Sequence, residues 1–330
     1  MKNFVRSALL LTALSCPFVS FAGTTDCSNP CDITCDETSC GGKFNVGADY
    51  LYWKTKQDDL TAFFIDQSTN INNDTITLNN PRFSHESGFR VYAGYEFPCT
   101  EWQVEAIYTY APGKGHYKHL VAGEKYNIDF FNISKLSGHW TSVLSYLDLE
   151  AARTIHCGDY FDIRPHMGVR LLWGDQRQFI DGLLVPDNDG VTTDLFDLER
   201  NKQKYHGYGI EGGLWTEWHV WCNVSFVGHF GGSIISLKER NHNSYISRLS
   251  DGSGSSIDTD TTVVKNRLDT YTPSLDAYLG IKYHANFCSV DVNAKLGWES
   301  HLWFDLGRVT LIDTGNLGMH GLTAGLDVSF

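Results

Sequence analysis

The chain has 330 residues and carries 26 Lys and Arg against 39 Asp and Glu, which gives a formal charge of -13 at neutral pH. An acidic surface argues against a nucleic-acid partner, because DNA and RNA are bound by basic patches. No stretch has the 18 or more consecutive apolar residues of a transmembrane helix, so a helical membrane protein is excluded.

The first 22 residues have the layout of a secretory signal peptide. Lys2 and Arg6 give a basic start, and residues 8–14 form a short apolar core. Residues 20–22 have the small-x-small pattern of a cleavage site. We therefore expect an exported mature chain that begins at Gly23, with a formal charge of -15, because -13 loses the two positive charges of Lys2 and Arg6.

Eight cysteines remain after that cleavage. An exported chain with an even number of cysteines is expected to form disulfides in an oxidising periplasm. Residues 23–42 hold four of the eight, with the spacing C-x3-C-x3-C-x4-C. A zinc site more often shows C-x2-C pairs, so the spacing favours a disulfide-braced or cross-linking periplasmic segment over a metal site. The cross-link candidates are Cys27, Cys31, Cys35, Cys40, Cys99, Cys157, Cys222 and Cys288.

From Lys43 onward, apolar and polar residues alternate. In the first segment Phe44, Val46 and Tyr50 share one face, and Asn45 and Asp49 lie on the other. Period-two alternation over about ten residues is typical of a strand that crosses a membrane with one face in lipid. Ten such segments occur, at residues 44–52, 89–97, 102–110, 147–151, 161–171, 208–218, 224–230, 275–283, 290–298 and 322–330.

The connections between these segments are alternately short and long. Each of the four interior cysteines lies in a short turn, whereas the other connections are long and rich in Asn, Asp, Gly and Ser. Short periplasmic turns and long extracellular loops are the layout of an outer-membrane barrel, which places both chain ends and all eight cysteines on the periplasmic side. The predicted loops are residues 54–86, 111–138, 174–203, 237–270 and 300–317.

The sequence therefore predicts an all-β, transmembrane antiparallel outer-membrane barrel over residues 43–330, in the lipid bilayer of a bacterial cell. The predicted number of strands is about 10. It rises to 12–14 if loops contain further pairs, for which Thr75–Leu78 and Thr262–Val264 are candidates. Pro165 should lie at a bulge or at the rim. A soluble β-sandwich is the alternative class, but its apolar faces and connections need not follow so regular a pattern.

The last segment ends on an aromatic residue. The alternation places five apolar side chains on one face, and the final strand should close the cylinder by pairing with the first strand near residues 44–53. We predict that this face and the terminal aromatic are read by the barrel-assembly machinery. The predicted assembly signal is Leu322, Ala324, Leu326, Val328 and Phe330.

Eight motifs in a fixed order resemble the major outer membrane protein family of Legionella and of Parachlamydia- and Waddlia-like chlamydiae. The resemblance implies a porin-like surface barrel whose cysteines can link it to its own copies or to other envelope proteins. The motifs are Phe44–Lys54, Gly88–Tyr95, Glu101–Tyr110, Leu147–Arg153, Arg164–Arg170, Gly207–Trp215, Leu296–Glu299 and Gly321–Phe330.

The face opposite the apolar one carries charges that should line the lumen. An open lumen of this composition would pass small solutes and ions with a mild cation preference. Barrels of about eight strands are filled by side chains, however, so pairing of these charges across a closed lumen is the alternative. The acidic candidates are Asp49, Glu96, Glu105, Asp148, Glu150, Asp162, Glu211, Glu217, Asp276, Asp291, Glu299 and Asp327, and the basic ones are Arg90, Arg164, Arg170, Lys282 and Lys295.

The sequence gives weaker indications for two further classes of function, an enzyme and an adhesin or scaffold. The chain contains neither a Gly-x-Ser-x-Gly nor a His-Glu-x-x-His motif, so we expect no enzyme and no cofactor. Residues 187–190 are similar to the start of a calcium loop but lack its distal Glu, so we expect no metal. Loops such as residues 250–256 could instead contact a host-cell surface, which makes an adhesin or scaffold barrel with a closed lumen the alternative to a porin.

Overall fold

The computed structural model describes most of the chain after residue 40. The described residues are 41–58, 62–67, 74–79, 81–116, 126–128, 131–158, 160–186, 194–221, 223–250, 256–287, 290–306 and 315–330. The predicted signal peptide, the four cysteines of residues 23–42, Cys222 and Cys288 lie outside them, and the domain boundary at residue 42 stays a prediction. In the described part of the chain, no helix has the length and apolarity to cross a membrane.

Ten long strands form the body of the molecule. In chain order they are β1 (Lys43–Gln57), β2 (His85–Glu96), β3 (Trp102–His116), β4 (Phe131–Arg153), β5 (Phe161–Pro186), β6 (Asp194–Trp221), β7 (Val224–Ser250), β8 (Ser256–Phe287), β9 (Val290–Trp303) and β10 (Leu317–Ser329). Each pairs antiparallel with its neighbours in the sequence.

The sheet closes on itself where β10 pairs antiparallel with β1, with Ala48 opposite Leu326. Backbone hydrogen bonds of 2.8 and 2.9 Å between Phe44 and Phe330 extend this ladder to the last residue. Closure removes the exposed sheet edges that a membrane could not tolerate. The predicted closed antiparallel barrel and the predicted pairing of the last strand with the first are therefore confirmed.

Within the described residues, five short strands accompany the barrel. They are Ala62–Gln67, Asp74–Asn79, Arg82–Phe83, Tyr126–Ile128 and Ile155–His156. The first two pair with each other, so the candidate Thr75–Leu78 lies in an accessory hairpin. The other candidate, Thr262–Val264, is part of β8. The barrel thus has ten strands, and neither candidate adds to its wall.

Alternation sorts the side chains of every strand between lipid and lumen. On β6 the outward-facing Tyr208 and Ile210 are 67% and 68% exposed. The inward-facing Glu211, which directly follows Ile210, is 8% exposed. Large apolar side chains on the outer wall are exposed, and lipid is the surrounding in which such a belt is stable. The outward face of β10 includes four residues of the predicted assembly signal, Leu322, Ala324, Leu326 and Val328, and Phe330 directly follows the strand.

Two of the predicted loops are mostly strand. β5 continues to Pro186 and β6 begins at Asp194, and likewise β7 continues to Ser250 and β8 begins at Ser256. Polar composition suggested loops at 174–203 and 237–270, which is wrong for most of both ranges. Long neighbouring strands satisfy one another's backbone groups, so a polar strand can continue into water. β5 to β8 therefore form a tall wall, and β9, β10, β1, β2 and β3 form a short one.

The short-turn end carries the interior cysteines that the structure describes. Cys99 lies in the turn between β2 and β3 with φ 54°. Cys157 lies before β5, where its N–H donates to the Phe161 carbonyl at 2.7 Å. Pro165 lies where the pairing of β5 is interrupted on the side of β4. The short strand Ile155–His156 pairs with β5 up to Ile163, and β4 pairs with β5 only from His166 onward. That position agrees with the predicted irregularity near the rim.

Candidate functional site in the barrel lumen

Arg170 on β5 is the centre of a buried ionic cluster in the lumen. Its Nε donates to Asp148 at 2.7 Å, and its Nη1 donates to Asp276 at 2.9 Å. Its Nη2 lies 2.8 Å from the carboxylate of Glu211. The guanidinium thus joins β4, β6 and β8, and these side chains are at most 6% exposed. Polar and charged groups are tolerated in so dry a place because they are bonded to one another.

His301 on β9 connects this cluster to a second arginine. Its Nδ1 lies 2.6 Å from Asp276 and its Nε2 lies 2.9 Å from Glu299. Ionised carboxylates only accept hydrogen bonds, so the doubly protonated ring satisfies both partners. Glu299 also receives a bidentate pair from Arg90 on β2, with distances of 2.7 and 3.2 Å.

The chain of charges ends on the opposite wall. Arg90 Nη1 lies 3.3 Å from Asp49 on β1, and Lys295 on β9 lies 3.1 Å from the other oxygen of Asp49. A continuous series of paired charges therefore crosses the lumen. We call it the ionic layer; its members are Asp49, Arg90, Asp148, Arg170, Glu211, Asp276, Lys295, Glu299 and His301.

Toward the cell surface, the inward side chains become apolar. Trp140, Trp303 and Leu144 have no exposed area, and Trp53 is 2% exposed. We call this set the apolar layer; it comprises Leu51, Trp53, Ala111, Trp140, Leu144, Tyr146, Leu172, Tyr205, Ile235, Leu237, Trp303, Leu306, Leu317 and Met319. It draws on eight of the ten strands and fills the lumen like the core of a soluble domain.

The two layers are in contact. Arg170 lies 4.8 Å from the ring centre of Tyr146 and 5.5 Å from that of Trp303. Thr323 on β10 donates to Glu299 at 2.8 Å and accepts from the Trp53 indole at 3.1 Å. A guanidinium over aromatic faces gains cation–π attraction, which suits a boundary between charged and apolar material.

Toward the periplasm, the ionic layer borders a cavity of about 330 Å³. Most of the predicted lumen charges outside the ionic layer line it, and they are half-buried, except Glu96, which is exposed at the rim. These residues are Glu96, Glu105, Glu150, Asp162, Arg164, Glu217, Lys282 and Asp327. Asp291 is half-buried near the same end, where it pairs with Lys43 at 3.3 Å.

The periplasmic rim holds a second, more exposed set of pairs. Asp162 lies 2.6 Å from His156 Nδ1 and 2.9 Å from His219 Nε2. Beside it, Lys282 donates to Glu217 at 2.8 Å. Exposed pairs of this kind stabilise little, so the rim is a solvated lining of the cavity mouth and lacks the dense pairing of the ionic layer.

Three carboxylates approach one another at the cavity side of the ionic layer. Oxygens of Asp148, Glu150 and Glu211 lie within 4.8 Å, a spacing that could hold a metal ion. Arg170 already binds Asp148 and Glu211, so its guanidinium is the cation that these two carboxyl groups share. Glu150 lines the adjoining cavity.

Sequence reasoning missed His301 and the apolar layer. His301 lies in the range 300–317 that was predicted to be a loop, although it continues the inward alternation of Glu299. The apolar layer had a signal: Leu51-Tyr52-Trp53, Leu171-Leu172-Trp173 and Ile234-Ile235 are apolar on both faces. Consecutive apolar residues near the outer end of several strands indicate that the lumen there is filled with apolar side chains.

A protein-family model matches most of the chain. The family model described as Legionella pneumophila major outer membrane protein precursor matches residues 38–330. No curated protein sequence matches. The chlamydial part of the resemblance stays a prediction.

Several solved outer-membrane structures are similar to the chain. A major outer membrane protein of Thermus thermophilus is 12% identical, with 88% of this chain and 100% of that chain covered and a TM-score of 0.30. The outer membrane protease OmpT of Escherichia coli is 7% identical, with 87% and 96% covered and a TM-score of 0.41. OprG of Pseudomonas aeruginosa is 10% identical, with 88% and 96% covered and a TM-score of 0.28.

Proposed function

The chain belongs to the Legionella major outer membrane protein family, and from this premise we propose that it is a structural envelope barrel whose lumen is sealed. It is a β-barrel of the bacterial outer membrane. The observation that carries the proposal is the apolar layer, in which large side chains from eight strands have almost no exposed area. Water and ions need a continuous polar path, and packed indole rings do not supply one.

The ionic layer supports the same proposal. Conducting barrels keep their lumen charges in water, where ions can exchange with them. Here the central charges are bonded to one another, and the side chain of Asp49 has no exposed area. A permeating ion would have to displace a buried partner, which costs several kcal/mol per unpaired charge, on the order of 3–5.

Planar-bilayer recording of the refolded protein tests the sealed lumen. We expect no ohmic steps from the wild type, with or without reductant, while insertion is verified by protease protection. A triple variant Trp140→Ala, Leu144→Ala, Trp303→Ala should gain conductance because it removes three large, fully buried side chains and opens a gap in the apolar layer. The matched control Trp218→Ala, Leu326→Ala, Trp298→Ala changes the same residue types on the outer wall and should stay silent. Ohmic steps from the wild type contradict the proposal.

Passive diffusion is the second candidate, and the cavity of about 330 Å³ favours it. Its lining contains more acidic than basic side chains, so a path that opened through both layers would prefer small cations. In that case the wild type should conduct, and a KCl gradient should give a cation-selective reversal potential. The Glu105→Gln, Glu150→Gln variant should lower that selectivity, because it removes two acidic side chains of the cavity.

We propose that the cysteines link the barrel into the envelope. Cys99 is disulfide-bonded, which supports an oxidised periplasmic face. Cys27, Cys31, Cys35 and Cys40 lie on the segment that precedes β1 and are the candidates for links to other copies or proteins. Non-reducing gels of intact envelopes should show high-mass species that reductant converts to monomer. A variant with serine at these four positions should run as monomer in both gels.

We propose no catalytic role. Membership of a major outer membrane protein family favours a non-enzymatic function. A sealed barrel can also serve as an adhesin, with the surface end of the tall wall in contact with a host cell. Deletion of residues 251–255 at the connection of β7 and β8 should then lower host-cell attachment without changing the amount of folded barrel.

A further inference from the structure

The outer face of the tall wall carries a basic patch although the whole chain is acidic. Above the apolar belt, the outward faces of β6, β7 and β8 carry many Lys and Arg side chains. We call the five that share one depression the basic wall: Lys202, Lys204, Arg240, Lys265 and Arg267. Lys202 is half-buried and the other four are exposed. They surround an open depression of about 660 Å³.

Strand register sets these cations directly against one another. Lys204 lies opposite Arg240, and Arg240 lies opposite Arg267. One pair of residues further from the membrane, His242 stands between Lys202 and Lys265. Like charges in directly opposed positions destabilise a sheet, so this arrangement does not serve folding.

Acidic neighbours do not neutralise the basic wall. Asp175 on β5 is opposite Lys204, but it binds Arg177 at 2.7 Å. Asp269 on β8 is opposite Lys238, one step closer to the membrane. Across the described ranges, none of the five cations of the basic wall forms an ion pair with another residue. Their charge is thus available to an external anion.

The basic wall lies at a defined height above the membrane. The apolar belt of the same outer faces ends with Tyr208, Ile234 and Tyr271, which are 56–75% exposed. Lys204 and Arg267 each lie four residues beyond the belt on their strands, and Arg240 lies six beyond, which is about 13–20 Å along the strand. Strand tilt of about 35–45° reduces that height to about 9–16 Å, a distance from which long Lys and Arg side chains can reach back toward the lipid headgroups of the outer leaflet.

We propose that the basic wall binds the phosphorylated sugar headgroup of the outer-leaflet glycolipid. Arginine and lysine donate charge-assisted hydrogen bonds to phosphate oxygens, and Arg240 and Arg267 can do so with two N–H groups each. The acyl chains of the same lipid would lie along the apolar belt below, where Tyr208 and Tyr271 face outward. A single amphipathic lipid can therefore contact both the apolar belt and the cations above it, whereas a soluble anion can contact only the cations.

The test compares two pairs of lysines with the same spacing and burial. Lys202→Gln, Lys204→Gln removes two cations of the basic wall. Lys54→Gln, Lys56→Gln removes an outward pair on β1, where the first lysine is likewise half-buried and the second exposed. Binding of bisphosphorylated lipid A to the full folded chain in neutral detergent is measured by native mass spectrometry.

We expect the basic-wall variant to bind lipid A about 30-fold more weakly, from the loss of two cations near an anionic lipid surface. The control pair should change affinity less than about threefold. Arg240→Gln, Arg267→Gln should reproduce the loss, and raised salt should weaken the wild type most. Without lipid the basic-wall variants should be at least as resistant to unfolding as the wild type, because opposed like charges are removed.

Three results would overturn the proposal. Equal binding of dephosphorylated lipid A would show that acyl chains alone are recognised. Equal affinity for inorganic phosphate would indicate a site for free anions. Binding of a sulfated polysaccharide without binding of lipid A would assign the basic wall to a host glycan.

Discussion

The lumen is filled by opposite chemistry at its two levels. Toward the periplasm, paired charges border a cavity of about 330 Å³, whereas toward the cell surface indole and aliphatic side chains pack with almost no exposed area. In the ionic layer, each side chain depends on a particular partner. In the apolar layer, many small dispersion contacts share the stabilisation. Loss of one residue should therefore cost more in the ionic layer than in the apolar layer.

Arg170→Ala gives the largest predicted effect. The change leaves the carboxylates of Asp148, Glu211 and Asp276 without their shared cation, so we expect the free energy of unfolding to fall by about 3–5 kcal/mol. Urea titration of the refolded barrel in lipid, followed by tryptophan fluorescence, measures it. Arg177→Ala is the control on the same strand, because its pair with Asp175 is largely exposed. That variant should lose less than about 1 kcal/mol. Similar losses in the two variants would contradict the importance of the ionic layer.

Leu144→Ala tests the apolar layer and should have the second-largest effect. Leu144 has no exposed area, so its truncation removes apolar contacts and leaves a cavity that costs about 3 kcal/mol. Leu326→Ala makes the same change on the lipid side, where acyl chains can fill the space, and its loss should be smaller in the same urea titration. If Leu144→Ala were as stable as wild type, the outer lumen would not be packed as described.

Thr323→Val probes the contact between the two layers. Its hydroxyl donates to Glu299 and accepts from Trp53, and valine keeps the volume but removes both hydrogen bonds. We expect a loss of about 1–2 kcal/mol, since buried polar groups lose their partner. Near-ultraviolet circular dichroism should also change, because the Trp53 indole loses a fixed acceptor. Unchanged spectra and stability would mean that the layers are independent.

Deletion of Phe330 should have the smallest effect on the folded barrel. Only the terminal pair with Phe44 is lost from the β1–β10 ladder, so we expect a fall of less than about 1 kcal/mol in unfolding free energy. The amount of barrel inserted into the outer membrane should fall much more if the terminal aromatic is an assembly signal. Normal surface levels of the shortened chain, measured by surface labelling, would argue against that role.

The wall of the barrel could be predicted from sequence because each strand shows its own alternation. β1 and β10 both alternate regularly, from Phe44 onward and from Phe330 backward, so the pairing of the first and last strands could be predicted from the sequence. The height of the tall wall could not be predicted, since polar runs such as residues 194–206 become strand only when equally long neighbours pair with them. The ionic layer was predicted as a set of lumen charges, but the partners within it depend on distances across the lumen.

The unequal walls also make the rim of the barrel oblique. β8 has 32 residues and β10 has 13, so at about 3.3 Å per residue the two strands differ by about 60 Å in length. The tall wall therefore extends farther from the membrane than the mouth beside β10 and β1. Antibodies and phages that approach the cell should meet epitopes on β5 to β8 before they reach the short wall.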